Sequence, residues 1–163
     1  ALEQTDKNDQ VLFLVSGGGS ALMPAPVDGV TLEDKIALNK ILLSNGLNIV
    51  EMNHIRQQVS KLKGGGLLHY ADPAPVTSYI LSDVIGNDLR VIASGPTLSP
   101  LGNTQSALEI LSDKCLLNLI PENIKNFPDQ FKNKMAVIKP LIRKNVYKLN
   151  SASNTKKRFT LLF

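Results

Sequence analysis

The sequence contains no tryptophan, one cysteine and two histidines among its 163 residues, and each shortage excludes a class of protein. With a single cysteine, Cys115, the chain has no internal disulfide framework, which is typical of a reducing compartment. His54 and His69 lack the spacing of metal ligands, so we expect no zinc site. No apolar run approaches the roughly 18 to 20 residues of a membrane span, and no signal peptide is visible. We therefore predict a cytoplasmic protein that does not bind membranes, with a mitochondrial location as the alternative.

Acidic residues are absent from the end of the chain. Residues 131–163 contain nine Lys and Arg residues but no Asp or Glu, whereas residues 1–130 contain nine basic and fourteen acidic residues. All eleven glycines lie between Gly17 and Gly102. A mildly acidic, glycine-marked body is thus followed by a basic segment. Because this segment lacks aromatics interleaved with its basic residues, we do not expect it to bind nucleic acid.

The most informative segment is an apolar run that breaks directly into glycines. Val11–Val15 has the length and the β-branched and aromatic content of a buried strand, and Ser16–Ser20 follows it as Ser-Gly-Gly-Gly-Ser. Ligands bind beyond the carboxyl ends of strands in α/β folds, where backbone N–H groups cradle anions. The segment therefore predicts either a phosphate or carboxylate site or a tight glycine turn, with the two about equally supported.

Helical and strand patterns alternate along the rest of the body. Thr31 begins a helix with a capping box and apolar spacing that ends near Gly46. A second helix is predicted over 48–62, and a third begins at Asn103 or Thr104 and turns Cys115 inward. Val76–Ser82 predicts a second buried strand, and Leu89–Ala93 a short third one.

This alternation predicts an α/β fold with a Rossmann-like parallel sheet and flanking helices. Two clear strands are few for a stable sheet, so the fold is expected to be incomplete. Either further strands lie within 89–93 and 135–149, or the missing strands lie outside this chain. We favour the second alternative. The chain begins at Ala1 followed by a polar stretch, which is typical of a segment from a longer protein.

One polar stripe runs along the predicted helix 48–62. Asn53, Arg56, Ser60 and Lys63 are separated by three, four and three residues, so they share one face at the rim of the apolar stripe. Such a row can line a cleft and coordinate an anion, and free amides of the triple glycine after Lys63 could add to it. The alternative, which the spacing alone favours, is a solvated face ending in a glycine cap.

Two further segments carry candidate chemistry. Asp83 follows the second strand, where it could hold a metal or accept a hydroxyl proton beside the glycine loop, or merely cap a turn. Asp88 could do the same more weakly. The small-residue turn Ser94–Thr97 suits backbone contact with a ligand or a sharp bend. The chain lacks the Walker pattern, the nucleophile elbow of hydrolases and the dinucleotide fingerprint.

These motifs together resemble the type-2 glycerate kinase family, whose bacterial members are often labelled hydroxypyruvate reductase. The resemblance is carried by Ser16–Pro26, Asn53–Gly66 and Leu81–Thr97, in that order. It implies ATP-dependent phosphorylation of D-glycerate, at the 2-hydroxyl and with Mg²⁺. It also implies that 1–128 is part of the N-terminal α/β domain, whose active site faces a second domain absent from this chain.

The motifs and the resemblance together predict a set of site residues. Asp83, Lys63 and Arg56 are predicted as catalytic, and Asp83 and Asp88 as metal ligands. The predicted contacts to nucleotide and glycerate are small, polar or glycine residues of the three motifs: Ser16, Gly17, Gly18, Gly19, Ser20, Asn53, Ser60, Gly64, Gly65, Ser94, Gly95 and Thr97.

The chain departs from the family in ways that bear on activity. Asn87 stands where relatives often have an aspartate, and the likeness fades after about residue 128. We expect 129–163 to be a divergent basic tail, either poorly ordered or the product of a mis-spliced gene. Without the second domain, the isolated chain is predicted to be inactive. The alternatives are an oxidoreductase acting on hydroxypyruvate with NAD(P)H and a non-catalytic anion-binding remnant of the fold.

Overall fold

A parallel sheet of three strands forms the centre of the described structure. The structure, a computed structural model, describes residues 2–82, 88–125, 138, 140–142 and 146–150. For Ser82 and for 146–150 it describes the backbone alone. The strands β1 (Val11–Ser16), β2 (Val76–Ser82) and β3 (Val146–Asn150) lie side by side in that order. Both pairs are parallel, so all three strands end at the same edge. This confirms the predicted fold class and the two predicted strands.

The third strand lies within the basic tail. β3 pairs with β2 from Ser78 opposite Val146 to Ser82 opposite Asn150. The favoured prediction was that the missing strands lie outside this chain. β3 instead overlaps the segment 135–149, so part of the missing sheet lies inside this chain.

The three predicted helices begin where the sequence predicts, and two shorter helices were not predicted. The predicted ones are α1 (Leu32–Ser44), α2 (Ile49–Gln58) and α4 (Thr104–Asp113), and the others are α3 (Gly66–Ala71) and α5 (Glu122–Lys125). Thr31, Asn48 and Asn103 each form a capping box with the residue three positions on. Each box satisfies backbone N–H groups that a helix start leaves without partners.

Three local predictions are wrong. The second helix ends at Gln58 rather than at residue 62, because the chain leaves the helix at Val59 and pairs Ser60 with Pro26 in an isolated bridge. The segment 89–93 is not a strand: it is a turn and a short 3₁₀ helix, Ile92–Ser94.

The third wrong prediction is that Cys115 is buried. Cys115 is exposed and has a φ of 57°. Its amide donates to the carbonyl of Ser112, and the amide of Leu116 donates to that of Leu111. This is a Schellman motif that ends α4, with cysteine at the left-handed position where glycine is usual.

Two groups of buried apolar side chains form the core. One lies among the helices and includes Leu42, Ile55 and Leu111, each with no exposed surface. The other packs Val15 and Ile80 of the sheet against Ile92 and Ala93. The opposite face of the sheet is exposed in part, since Leu12, Leu14 and Leu81 are 60%, 53% and 45% exposed. The core therefore fixes the 3₁₀ helix against one side of the strand ends, beside the glycine loop.

Candidate anion-binding cleft

A cavity of about 410 Å³ lies between the loop after β1, helix α1 and helix α2. Among its walls are Ser20 and Gly18 from the glycine loop and Arg56 from α2, followed by Lys63 beyond the end of that helix. The remaining lining residues come from the segment before α1 and from α1 itself: Ala21, Pro24, Leu32, Lys35, Ile36, Leu38 and Asn39, with Val59. The cavity thus unites two of the three predicted motifs.

A chain of hydrogen bonds joins the third motif to the other two. The Lys63 ammonium donates to Ser20 Oγ at 2.6 Å, and Ser20 Oγ lies 3.2 Å from Ser94 Oγ. Ser94 Oγ donates to Asn53 Oδ1 at 3.0 Å. Because Ser94 donates its single proton to Asn53, it accepts from Ser20. The donors therefore run in one direction, from Lys63 through both serines to Asn53.

The backbone at Ser94 is held in an unusual conformation. Ala93 and Ser94 have φ values of 49° and 61°, in the left-handed region that side-chain-bearing residues rarely adopt. The side chain of Gln57 fixes this turn, because its amide donates to the carbonyls of Ser94 and Arg90 while its Oε1 accepts from the Leu101 amide. Strain of this kind persists where the surroundings over-determine it, and it concentrates at functional sites.

The cavity is strongly positive. Burial, together with the charges of Lys35 and Arg56, lowers the pKa of Lys63 to about 8. Burial alone lowers the pKa of Lys35 to about 8, and it also lowers that of Arg56. Among the described residues that line the cavity none is acidic. An anion entering the cavity would therefore meet three cationic side chains, which favours its binding.

The structure brings some of the predicted contacts to the cavity and directs others elsewhere. Ser60 is fully buried and its hydroxyl donates to the Ala25 carbonyl at 3.3 Å. Thr97 is also buried, and it accepts from Ser78 at 2.9 Å. Neither residue lines the cavity. Ser60 does not lie on the predicted polar stripe, because α2 ends before this residue.

The second triple glycine has a structural role. The amides of Gly64 and Gly65 donate to the carbonyls of Ser94 and Gly95 at 2.9 and 2.8 Å. The prediction that these amides are free for a ligand is therefore wrong, although the segment does hold the Ser94–Thr97 turn beside the cavity. In the first triple glycine, Gly18 has a φ of 79°, and a Cβ added at Gly19 would contact the side chains of Ala93 and Val15. Ser16 is exposed, and its hydroxyl donates to the carbonyl of Gly17.

The acidic candidates remain predictions. Asp83 lies outside the described residues. Asp88 forms a salt bridge with Arg90 at 2.7 Å, and the Arg90 guanidinium hydrogen bond is the main cause that lowers the pKa of Asp88. Within the described ranges, no group of three or more His, Cys, Asp or Glu residues is placed to hold a metal ion. No helix of those ranges is long and apolar enough to cross a membrane.

Sequence reasoning missed the two polar residues that α1 contributes to the cavity, Lys35 and Asn39. They are four positions apart on α1, and Asn39 accepts a hydrogen bond from the Arg56 Nε. The signal was present: a polar pair at that spacing occupies one helix face, as the stripe on α2 does. The capping box and the apolar spacing of α1 predict where the helix begins and which face is buried, but they do not indicate a role for its polar face.

Comparison with known proteins identifies relatives of this chain. A family model described as a domain of unknown function, DUF4147, matches residues 1–128. The glycerate kinase of Rattus norvegicus is 50% identical over 123 residues, which are 76% of this chain and 24% of that protein. A putative hydroxypyruvate reductase of Agrobacterium vitis is 46% identical over 112 residues, 69% of this chain and 29% of that protein. The chain spans about a quarter of the length of the curated relatives it matches.

Solved structures agree with the sequence comparison. The crystal structure of the glycerate kinase from Thermotoga maritima superimposes with a TM-score of 0.73 at 34% identity, over 91% of this chain and 34% of that one. The chain therefore belongs to the DUF4147 family, and its resemblance to the type-2 glycerate kinases is confirmed.

Proposed function

We propose that this chain supplies one wall of the active site of a D-glycerate kinase that uses ATP. The observation that carries the proposal is the meeting of Ser20, Arg56 and Lys63 at one positive cavity, in a chain about half identical to a glycerate kinase. Glycerate carries a carboxylate and ATP carries phosphates, and both need cationic side chains and hydroxyl donors. The geometry supports anion binding, and the relatives supply the reaction.

In the proposed reaction, the 2-hydroxyl oxygen of glycerate forms a bond to the γ-phosphorus of ATP. The bond from that phosphorus to the oxygen that leaves on ADP breaks, and the hydroxyl proton passes to Asp83. Lys63 and Arg56 hold the anionic groups and offset the charge that spreads over the transferring phosphoryl group. Ser20 keeps the Lys63 ammonium at the cavity wall.

Magnesium would neutralise phosphate charge in such a reaction. The described carboxylates do not assemble a magnesium site, since both oxygens of Asp88 accept from Arg90 and no acidic group lines the cavity. As the alternative to accepting the proton, Asp83 would be the magnesium ligand from this chain, and other ligands would have to come from the second domain or from the nucleotide.

A chimera tests the proposal. The segment of the rat glycerate kinase that matches 123 residues of this chain is replaced with those residues, and ADP formation with D-glycerate is measured. We expect activity, and we expect Lys63→Gln to lower kcat/KM by about 100-fold or more, because a charged contact to the transition state is lost. Lys61→Gln is the matched control, since Lys61 pairs with Asp28 and does not line the cavity.

Two results would contradict the proposal: a folded chimera without kinase activity, or equal effects of the two lysine substitutions. Oxidation of NAD(P)H by the chimera with hydroxypyruvate would favour the oxidoreductase alternative, which the name of the Agrobacterium vitis relative suggests. The isolated 163-residue chain is expected to show no turnover, and turnover would mean that one wall suffices.

A further inference from the structure

A buried polar network lies behind the wall of the cavity. Ser94 and Asn53 are 0% and 2% exposed, and neither of them lines the cavity. The Ser94 hydroxyl donates to Asn53 Oδ1 at 3.0 Å, and the Asn53 Nδ2 donates to the Val91 carbonyl at 3.3 Å. A buried polar network in which each group has a partner fixes one arrangement of its members. The proposed reaction gives this network no role.

The network determines where the hydroxyl proton of Ser20 points. Because the Asn53 amide nitrogen donates to Val91, the other end of that amide, Oδ1, faces Ser94 as an acceptor. Ser94 donates its single proton to that oxygen, so it offers Ser20 Oγ, 3.2 Å away, only a lone pair. Ser20 therefore donates to Ser94, and it presents a lone pair to the Lys63 ammonium at 2.6 Å.

This direction suits an ammonium group. A hydroxyl that rotates freely can point its proton at a neighbouring ammonium, and the two positive ends then repel each other. Ser94 prevents this rotation, because it accepts the Ser20 proton itself. Lys63 is 6% exposed, so water does little to screen a wrong orientation. The position of the Lys63 charge therefore depends on a residue two hydrogen bonds away.

The serine at position 94 carries a conformational cost that glycine would avoid. Its φ of 61° lies in the left-handed region, which glycine adopts freely. Gln57 and Gly64 hold the turn through the Ser94 carbonyl, at 3.0 and 2.9 Å, and neither bond needs the Ser94 side chain. The turn itself therefore does not require a serine. What the serine adds is the hydroxyl that links Ser20 to Asn53.

We propose that Ser94, together with Asn53, is a positioning residue for Lys63 and acts through the hydroxyl of Ser20. By holding the Ser20 proton, Ser94 turns a lone pair of that oxygen toward the ammonium and so fixes where the Lys63 charge meets an entering group. Ser20 then serves as an acceptor for Lys63 and not as a donor to the substrate. The inference rests on the proposed function in taking Lys63 as a residue that acts on the transferring group.

A double-mutant cycle in the chimera tests the proposal. Ser94→Gly removes the hydroxyl and keeps the turn, and we expect it to lower kcat/KM for D-glycerate by about tenfold, because a displaced charge stabilises the transition state less. Lys63→Met removes the charge and its donors, and in that background Ser94→Gly should change kcat/KM by less than about twofold. Ser20→Ala should follow the same pattern. A Ser20 hydroxyl that donates to the substrate would keep its effect without Lys63.

Ser78→Ala is the matched control. Ser78 is also a buried serine, its hydroxyl donates to Thr97 at 2.9 Å, and it does not line the cavity. The substitution removes a buried hydrogen bond of the same kind outside the network. Any effect that it has on kcat/KM should therefore be the same with Lys63 and with Lys63→Met.

Trace acetylation of the 163-residue chain gives a second readout, which does not need kinase activity. Acetic anhydride reacts with the neutral amine, and Lys63, with a pKa of about 8, is mostly charged at pH 7. Loss of the oriented acceptor disfavours the charged form, so Ser94→Gly and Ser20→Ala should raise the labelling of Lys63 about threefold. Lys61, which pairs with Asp28, is the internal reference in the mass spectrum. Ser78→Ala should leave the ratio of Lys63 to Lys61 labelling unchanged.

The proposal is overturned if Ser94→Gly lowers kcat/KM equally with and without Lys63, if it leaves kcat/KM unchanged, or if the labelling ratio does not rise. An active chimera with any of these results contradicts this inference alone. If the chimera is inactive, the labelling ratio decides: a raised ratio contradicts the proposed reaction alone, and an unchanged ratio contradicts both.

Discussion

Sulfate binding to the cleft should weaken between pH 7 and pH 9. Lys35 and Lys63 both have a pKa lowered to about 8. Lysines with that pKa are about nine-tenths charged at pH 7 and about one-tenth charged at pH 9, whereas an ordinary lysine, with a pKa of about 10.4, stays charged throughout. Sulfate carries two charges over this whole range. The change in affinity therefore reports on the protein.

The expected magnitude follows from these charged fractions. Each lysine that must be charged for binding contributes a factor of about ten between pH 7 and pH 9, so the loss is about tenfold for one lysine and about 100-fold for both. Titration calorimetry at constant ionic strength measures it, since salt screens such interactions. Lys63→Arg keeps its charge at pH 9 and should limit the loss to about tenfold. An affinity that is unchanged from pH 7 to pH 9 would refute the reasoning, because the lysines would then titrate near their ordinary pKa.

The same lowered pKa values affect stability without a ligand. Between about pH 8 and 10.5 the unfolded chain binds protons that Lys35 and Lys63 in the folded chain have released. The free energy of unfolding should therefore rise with pH over this range as far as these lysines contribute. Bound sulfate should reduce this rise, because it favours the charged lysines. Urea unfolding at pH 8 and pH 10, with and without sulfate, measures both effects.

Three substitutions, with Gly46→Ala as a control, test the packing around the cleft by urea unfolding. Gly65→Ala places a Cβ 2.8 Å from the Leu98 carbonyl oxygen at a φ of 81°, and should cost about 2–4 kcal/mol. Gly46→Ala, with a φ of 68° and no atom within 4 Å, should cost only about 1–2 kcal/mol, and equal costs would contradict the clash. Gly102→Ala directs a Cβ into the His54 imidazole, which Asn103 and Ser106 hold, and should cost about 2–4 kcal/mol unless His54→Ala is added. Ser94→Ala leaves the buried Asn53 Oδ1 without its donor and should cost about 1–3 kcal/mol, whereas a neutral effect would show that the bond is dispensable.

Local signals in the sequence account for most of the fold. Thr31 and Asn48 determine where α1 and α2 begin, because a cap depends only on residues three positions apart. The ends were harder to predict. Val59 is apolar and continues the stripe of α2, yet the helix stops at Gln58 because the backbone of Ser60 pairs with that of Pro26, a contact that spacing does not encode.

The candidate site was predicted only in part, because local patterns can be recognised in the sequence whereas tertiary contacts cannot. Ser20, Arg56 and Lys63 are accessible to sequence reasoning because glycine loops and polar stripes are local patterns, and in the structure all three line one cavity. The strand predicted at Leu89–Ala93 failed because Ala93 and Ser94 adopt left-handed backbone conformations that tertiary hydrogen bonds impose. The free amides of Gly64 and Gly65 were wrongly predicted because their acceptors, Ser94 and Gly95, lie thirty residues further along the chain.

The Gln57 side chain has a consequence for every measurement on this cleft. It ties Ser94, Arg90 and Leu101 together through an uncharged amide, which does not titrate. This support of the cleft is thus independent of pH, while the lysines that give the cleft its charge are not. Titrating the lysines changes the electrostatic potential of the cleft and leaves the Gln57 hydrogen bonds in place. Measurements at several pH values therefore vary the charge of the cleft, as a set of charge variants would, without any substitution.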